Sequence, residues 1–201
     1  MIFDMDENKL KETVSAAVKT MKDGGVILYP TDTVWGIGCD ASNAEAVAKV
    51  YDIKKRSDSK SLVLLACDMD MICRYVKEMP EMAVSLIEVN DKPMTIVYPD
   101  AITAPGYGLA RNCVAEDGSV GIRIPLSDYC RRMVRSLGKP VISTSANISG
   151  EPTPKCFADI SETIKKAVDY IVCPELESES TGTSSSVIKV GVDGEIRIIR
   201  K

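Results

Sequence analysis

"YPTDTVWGIG", residues 29–38, is the stretch on which the reading of this chain turns. The apolar run "VILY" at 26–29 lies between Gly25 and Pro30, the pattern of a short buried strand. Pro30, Thr31, Asp32 and Thr33 interrupt it before Val34, Trp35 and two glycines. Asn43 is placed to cap a helix carrying Val47, Val50 and Tyr51, so the stretch is expected to be a strand-to-helix connection. Two hydroxyls and a carboxylate on a turn can bond a small polar ligand, while the glycines let backbone come close. An ordinary Asx turn with a helix cap would use the same residue types.

Upstream, Leu10, Val14, Ala17, Val18 and Met21 recur at helical spacing and Gly24-Gly25 supplies a stop. Downstream, "SLVLLA" at 61–66 reads as a strand, with helices expected near 69–78 and 81–89, the second with Pro80 near its first turn. "MTIVY" (94–98), "VGIRIP" (120–125) and "PVIS" (140–143) are strand-like, and Ser127 can cap a helix through "DYCRRMVRSL". "ISETIKKAV" (160–168) reads as a helix and "YIV" (170–172) as a strand. "SVIKV" and "EIRIIR" flank "GVDG" as a terminal hairpin. "ESESTGTSSS", 177–186, is a low-complexity patch expected to form a surface loop. Strands alternating with helices predict an α/β fold with a mixed sheet.

A chain of 201 residues with 45% hydrophobic content is long enough for one substantial core, so residues 1–201 are expected to form a single domain. The net charge of −4 argues against coating nucleic acid through a global positive field, while leaving a local basic patch open. Neither a secretory leader nor an apolar run long enough to span a bilayer is evident, which predicts a soluble, cytoplasmic protein without membrane contact. The seven cysteines form no close CxxC pair and there is no histidine, so no zinc site or disulfide framework is expected. Each cysteine reads as a small buried hydrophobe. Any general base must be a carboxylate, a lysine, a thiolate or the substrate itself.

Besides the opening stretch, three other places gather polar groups. "KKRSDSK", 54–60, sets Lys54, Lys55, Arg56 and Lys60 after a helix, where cations favour the helix end but also suit a polyphosphate. "STSANISGEPTP", 143–154, offers Ser143, Thr144, Ser145, Asn147 and Ser149 after a strand, as an anion loop or a polar turn; it is not a P-loop. Arg123 inside the apolar "GIRIP" needs either an ion-pair partner or a ligand. Together these groups describe a nucleotide-handling α/β enzyme.

The motifs then resemble those of the YrdC-type threonylcarbamoyl-AMP synthases over about residues 9–201. "YPTDTVWGIGCDA" is similar to the family signature YPTDTVYGLGCDA, with Trp35 in place of the common tyrosine. "IKKRSDSKSL" resembles its KxR motif, "KPMTIV" its PxT stretch, "GIRIP" its RxP stretch, "STSANISGEP" its TSANxSG loop and "SSVI" its STV-type segment; "IIRK" resembles its terminal arginine motif. Ser57 departs from the proline that many members have there, and Ser61 from the proline or glycine frequent before Leu62.

The resemblance implies a twisted mixed sheet flanked by helices around a concave, positively charged cleft. Thr31 and Thr33 would contact L-threonine, with Tyr29 and Arg123 nearby. Lys54, Arg56 and Lys60 would carry the catalytic charge neutralisation, and Ser143, Ser145, Asn147, Arg123, Ser185 and Arg200 would complete the ATP site with Lys54 and Arg56. The implied enzyme is a nucleotidyltransferase with no protein-caged metal. It joins L-threonine, bicarbonate or CO2, and Mg²⁺-bearing ATP into threonylcarbamoyl-AMP and pyrophosphate. That product would feed the tRNA threonylcarbamoyl transferase machinery that modifies the adenosine beside the anticodon. A YrdC-like RNA-binding module contacting tRNA, or a paralogue with another carbamoyl-transfer chemistry, are the competing readings. On the implied role, Arg56→Ala folds normally and loses about 3 kcal/mol of barrier lowering, about two orders of magnitude in turnover; wild-type turnover in that variant removes the role.

Overall fold

The computed structural model describes residues 7–55 and 62–201. Helix α1 (Glu7–Lys22) buries Val14, Ala17, Val18 and Met21 on one stripe, as the spacing predicts, whereas Leu10 is only half-buried. Gly24, at φ 78°, takes the left-handed turn that stops the helix. Strand β1 (Ile27–Tyr29) follows, and all three of its residues are buried.

The opening stretch departs from the expected connection. Gly36–Gly38 is itself a strand, β2, antiparallel to β1, with Tyr29 opposite Gly36 and Ile27 opposite Gly38. Residues 30–35 are therefore the bend of a β-hairpin. The physical reason lies in Gly38. A methyl group there would press against the carbonyl of Ile142 and come 2.7 Å from the Tyr29 ring. This glycine is a packing requirement between strands, not an opening toward a ligand.

Helix α2 (Ala44–Lys54) starts at Asn43, whose side chain accepts from the amides of Glu45 and Ala46. Strand β3 (Val63–Leu65) leads to α3 (Met69–Cys73), shorter than the helix expected over 69–78. It stops because Val76 bridges to Ala101 and the Tyr75 carbonyl accepts from the Ile102 amide, a pairing that helical backbone cannot make. Helix α4 (Glu81–Val89), capped by Pro80, and strand β4 (Met94–Tyr98) match the sequence reading. Strand β5 (Val120–Arg123) ends on the arginine. Ser127 caps α5 (Asp128–Leu137), which packs against α1, and β6 (Val141–Ser145) leads into the hydroxyl-rich loop. Helix α6 (Glu162–Ala167), β7 (Tyr170–Ile171) and the hairpin β8 (Ser186–Val190) with β9 (Ile196–Arg200) complete the order.

The nine strands form one mixed sheet in the order β7-β1-β2-β6-β3-β5-β4-β8-β9. Antiparallel contacts β2–β6 and β6–β3 put β6 between β2 and the middle strand β3, with β5 parallel to β3 on the latter's far side. The β1–β2 bend leaves β2 at the Ser145 end of β6, because Gly36 pairs with Ser145, whereas Arg123 lies level with Val141 at the other end of these strands and meets the bend through its side chain. One contiguous apolar core, from Val14 to Val190, lies under this sheet and its helices. Cys39, Cys67, Cys113 and Cys130 belong to it as expected, but Cys73 is exposed and Cys156 and Cys173 are half-exposed, on loops and helix ends that leave the core. Burial pushes the Cys113 and Cys130 thiols up to about 12, which keeps them protonated and inert at neutral pH. No described helix is long and apolar enough to cross a membrane.

The two glycines of β2 respond differently to the same substitution. Gly38→Ala is expected to lose about 1–3 kcal/mol through overpacking, several degrees in a thermal melt. Gly36→Ala, whose new methyl would meet Ser143, Thr144 and Tyr29 at an ordinary 3.5 Å, stays near wild type. Equal melting temperatures would show that the β2–β6 contact is not close-packed.

Candidate active site

Arg123, only 4% exposed, organises the bend. Its Nη1 donates to Asp32 Oδ1 at 2.6 Å, and its Nη2 donates to the hydroxyls of Thr31 at 3.2 Å and Thr33 at 3.1 Å. The second Asp32 oxygen accepts from the Leu126 amide at 3.0 Å, so neither oxygen of that carboxylate is unpartnered. A buried guanidinium is tolerated because the charge is matched and three of its N–H groups are hydrogen-bonded to the bend. Of the two readings of Arg123, the ion pair is present, and the same residue also lines a cavity.

The two threonine hydroxyls share one hydrogen-bond network. Thr31 Oγ1 donates to the Val34 carbonyl at 2.8 Å and accepts from the amides of Thr33 and Val34. Either hydroxyl can donate in the 2.8 Å contact between Thr31 and Thr33. Thr33 Oγ1 also accepts from Arg123 Nη2 and lines the cavity.

The cavity has a volume of about 270 Å³. Thr31, Thr33 and Gly36 form one wall, Ser143, Thr144 and Ser145 of β6 the next, and Ser184, Ser185, Val187 and Arg200 the far side. Ser185 Oγ shares a 2.8 Å hydrogen bond with Thr95, which is fully buried, and Arg200 Nε donates to the Ser185 carbonyl at 3.0 Å. Thus Thr31, Thr33, Arg123, Ser143, Ser145, Ser185 and Arg200 converge from distant parts of the chain. The lining carries two arginines and a ring of hydroxyls without a carboxylate, a chemistry suited to an anionic ligand.

Three predicted residues stand elsewhere. Tyr29 is fully buried beneath the β2 glycines, its hydroxyl donates to the Ile142 carbonyl at 3.1 Å, and burial raises its pKa; it supports the wall without lining the cavity. Lys54, 2% exposed at the end of α2, donates through Nζ to the carbonyls of Ser145 and Asn147, while its own carbonyl accepts from the Ser149 amide. It pins the 145–149 turn from behind, because helix α2 ends directly beneath that turn. Asn147 ties the turn internally, donating to the Ile148 and Glu151 carbonyls, and its Oδ1 is buried without a partner. Arg56 and Lys60, with Ser57 and Ser61, lie outside the described residues.

Sequence reasoning missed Asp32 as the counter-ion and Thr95 as the partner of Ser185. A threonine inside the apolar "MTIVY" was the available signal for the second, since a strand hydroxyl buried on both sides needs a partner. The segment 177–186 lies largely at the surface, as expected, but its grip on the bend was not foreseen: Ser180 Oγ donates to the Thr33 carbonyl at 2.6 Å and the Thr181 amide to the Asp32 carbonyl at 3.1 Å.

A family profile described as Telomere recombination, Sua5/yciO/yrdC, matches residues 19–201. The chain belongs to the Sua5/YciO/YrdC family. It is 29% identical to a threonylcarbamoyl-AMP synthase of Pseudoalteromonas translucida over 189 residues, covering 92% of this chain and 97% of that one. Among solved structures, Pyrococcus abyssi Sua5 complexed with L-threonine superposes with a TM-score of 0.77 at 24% identity, covering 90% of this chain and 51% of that chain. Escherichia coli YciO superposes with a TM-score of 0.77 at 22% identity, covering 96% and 89%. The chain thus spans about half the length of that Sua5 and most of the length of YciO, and both likenesses establish the shared fold.

Asp32→Asn leaves the Arg123 charge buried and unmatched, with side chains only 3% and 5% exposed in the native pair. It is expected to cost about 3–5 kcal/mol, seen as a fall of roughly 10 °C in melting temperature. A melt within a degree of wild type would show that water reaches the guanidinium.

Proposed function

We propose that this chain is an L-threonylcarbamoyladenylate synthase, a nucleotidyltransferase that uses L-threonine, bicarbonate or CO2, and ATP. The observation that carries the reading is the cavity in which Arg123, held by Thr31, Asp32 and Thr33, faces Ser143, Ser145, Ser185 and Arg200. The similarity to synthases over nearly their full length supports it.

The chemistry suits a protein without histidine. The threonine amine adds to CO2, forming an N–C bond and losing a proton to solvent. A carbamate oxygen then attacks the α-phosphorus, and the bond to the β-phosphate oxygen breaks with its electron pair leaving on pyrophosphate. The nucleophile is already an anion, so the protein needs alignment and charge neutralisation more than a tuned base.

Thr33 offers its hydroxyl to a polar group of the substrate, and Arg123 fixes both threonine hydroxyls in place. Ser143, Ser145, Ser185 and Arg200 offer donors to the nucleotide. Lys54 acts by shaping the 145–149 turn that presents Ser145, and Arg56 and Lys60 are assigned to the phosphates from the motif alone.

The described residues do not fit a protein-caged magnesium ion. They contain no cluster of metal-ligating side chains, and both oxygens of Asp32 are already engaged. Mg²⁺ is expected as the counter-ion that ATP brings, and no step above depends on it. The product is an activated acyl adenylate, suited to transfer onto tRNA by the threonylcarbamoyl transferase machinery in the cytoplasm.

Purified protein with ATP, Mg²⁺ and bicarbonate is expected to release pyrophosphate only when L-threonine is present, with a product of threonylcarbamoyl-AMP mass. Pyrophosphate release or ATP binding that ignores threonine would transfer the reading to a paralogue of other carbamoyl chemistry or to an RNA-binding module.

A further inference from the structure

The signature tyrosine is a tryptophan in this chain, and Trp35 is the sole tryptophan. Its ring is fully buried, packed on Phe157 with centroids 5.0 Å apart, and Lys165 Nζ lies 4.6 Å from the opposite ring's centroid. The indole Nε1 donates to Glu177 Oε2 at 2.6 Å, and the same oxygen accepts from the Phe157 amide at 2.8 Å. Glu177 belongs to a 3₁₀ turn, Pro174–Glu179, and begins the strap that runs on to the cavity-lining Ser184 and Ser185.

Beyond Glu177 the strap grips the bend. Ser180 and the Thr181 amide take the carbonyls of Thr33 and Asp32, the two residues whose side chains hold Arg123. Trp35 anchors the strap at one end and precedes Gly36 of the cavity wall at the other. A donor restricted to one direction, the indole N–H, and an acceptor that meets two donors fix where the strap sits.

We infer that Glu177 is a positioning residue: its hydrogen bond to Trp35 latches the 177–185 strap onto the β1–β2 bend and thereby sets the pose of Thr33 for L-threonine. The inference rests on the proposed synthase reading for its substrate. Releasing the latch frees the carbonyls of Asp32 and Thr33 to shift, and small displacements of an aligning group weaken the alignment it provides.

The experiment compares wild type, Glu177→Ala, Glu177→Gln and Trp35→Phe by steady-state kinetics, with acrylamide quenching of the single tryptophan where it is retained. Glu177→Ala is expected to raise the threonine KM about tenfold, to raise the ATP KM less because Ser185 is also held by Thr95 and Arg200, to leave kcat nearly unchanged, and to increase quenching. Glu177→Gln keeps an acceptor for both donors and stays close to wild type, while Trp35→Phe keeps the ring contact with Phe157 and raises the threonine KM. A purely structural role gives a different pattern, since loss of folded enzyme lowers kcat and leaves both KM values alone.

A wild-type threonine KM in folded Glu177→Ala overturns the inference. So does a loss in Glu177→Gln as large as that in Glu177→Ala. If wild type itself shows no threonine-dependent turnover, the synthase reading fails separately. The quenching series then decides the latch: unchanged shielding of Trp35 in Glu177→Ala overturns it, and increased quenching reversed in Glu177→Gln supports it.

Discussion

A positive charge buried at the end of a central strand is the constraint around which this fold is arranged. Arg123 cannot remain ionised at that depth without a counter-ion and oriented acceptors, and the β1–β2 bend supplies both. The bend must therefore pass over β5, though these segments are some ninety positions apart in the chain. Antiparallel pairing of β2 with β6 carries the bend there, and the glycines of β2 permit the close approach. The same network makes the cavity wall rigid, so the ion pair links global topology to the placement of the hydroxyls that face a ligand.

The parts of the fold that the sequence made legible are those governed by local chemistry. Asn43 and Ser127 cap helices as expected, Asp193-Gly194 turns the last hairpin, and the stripe from Val14 to Met21 faces the core. The misreadings arise from long-range pairing. Nothing near Gly36 announces that three residues will become a strand, because its partners are at 27–29 and 144–145. The short α3 has the same cause, a bridge to residue 101. At the site, types of residue were readable from motifs while their directions were not. The KxR resemblance implied that Lys54 holds phosphates; in the structure its ammonium donates to the carbonyls of the 145–149 turn.

Chemistry and architecture agree in one further respect. A reaction whose nucleophile is a carbamate needs converging donors more than a titrating base, and the cavity offers arginines and hydroxyls. Buried thiols and the buried Tyr29 phenol, all shifted upward by desolvation, add no charge near neutrality.

The far wall of the cavity has a different mechanical character from the near one. Arg123 sits at the sheet's centre, whereas Arg200 lies on β9, the outermost strand, whose residues are exposed throughout and which is hydrogen-bonded to β8 alone. Charged Arg197 and Arg200 interrupt Ile196, Ile198 and Ile199 along that rim, a pattern that discourages stray strand pairing. An anion that bridges Arg123 and Arg200 would act as a strut between core and rim. Occupancy of the cavity and order of the rim then become two faces of one equilibrium, with amide exchange along β9 slowing as the site fills.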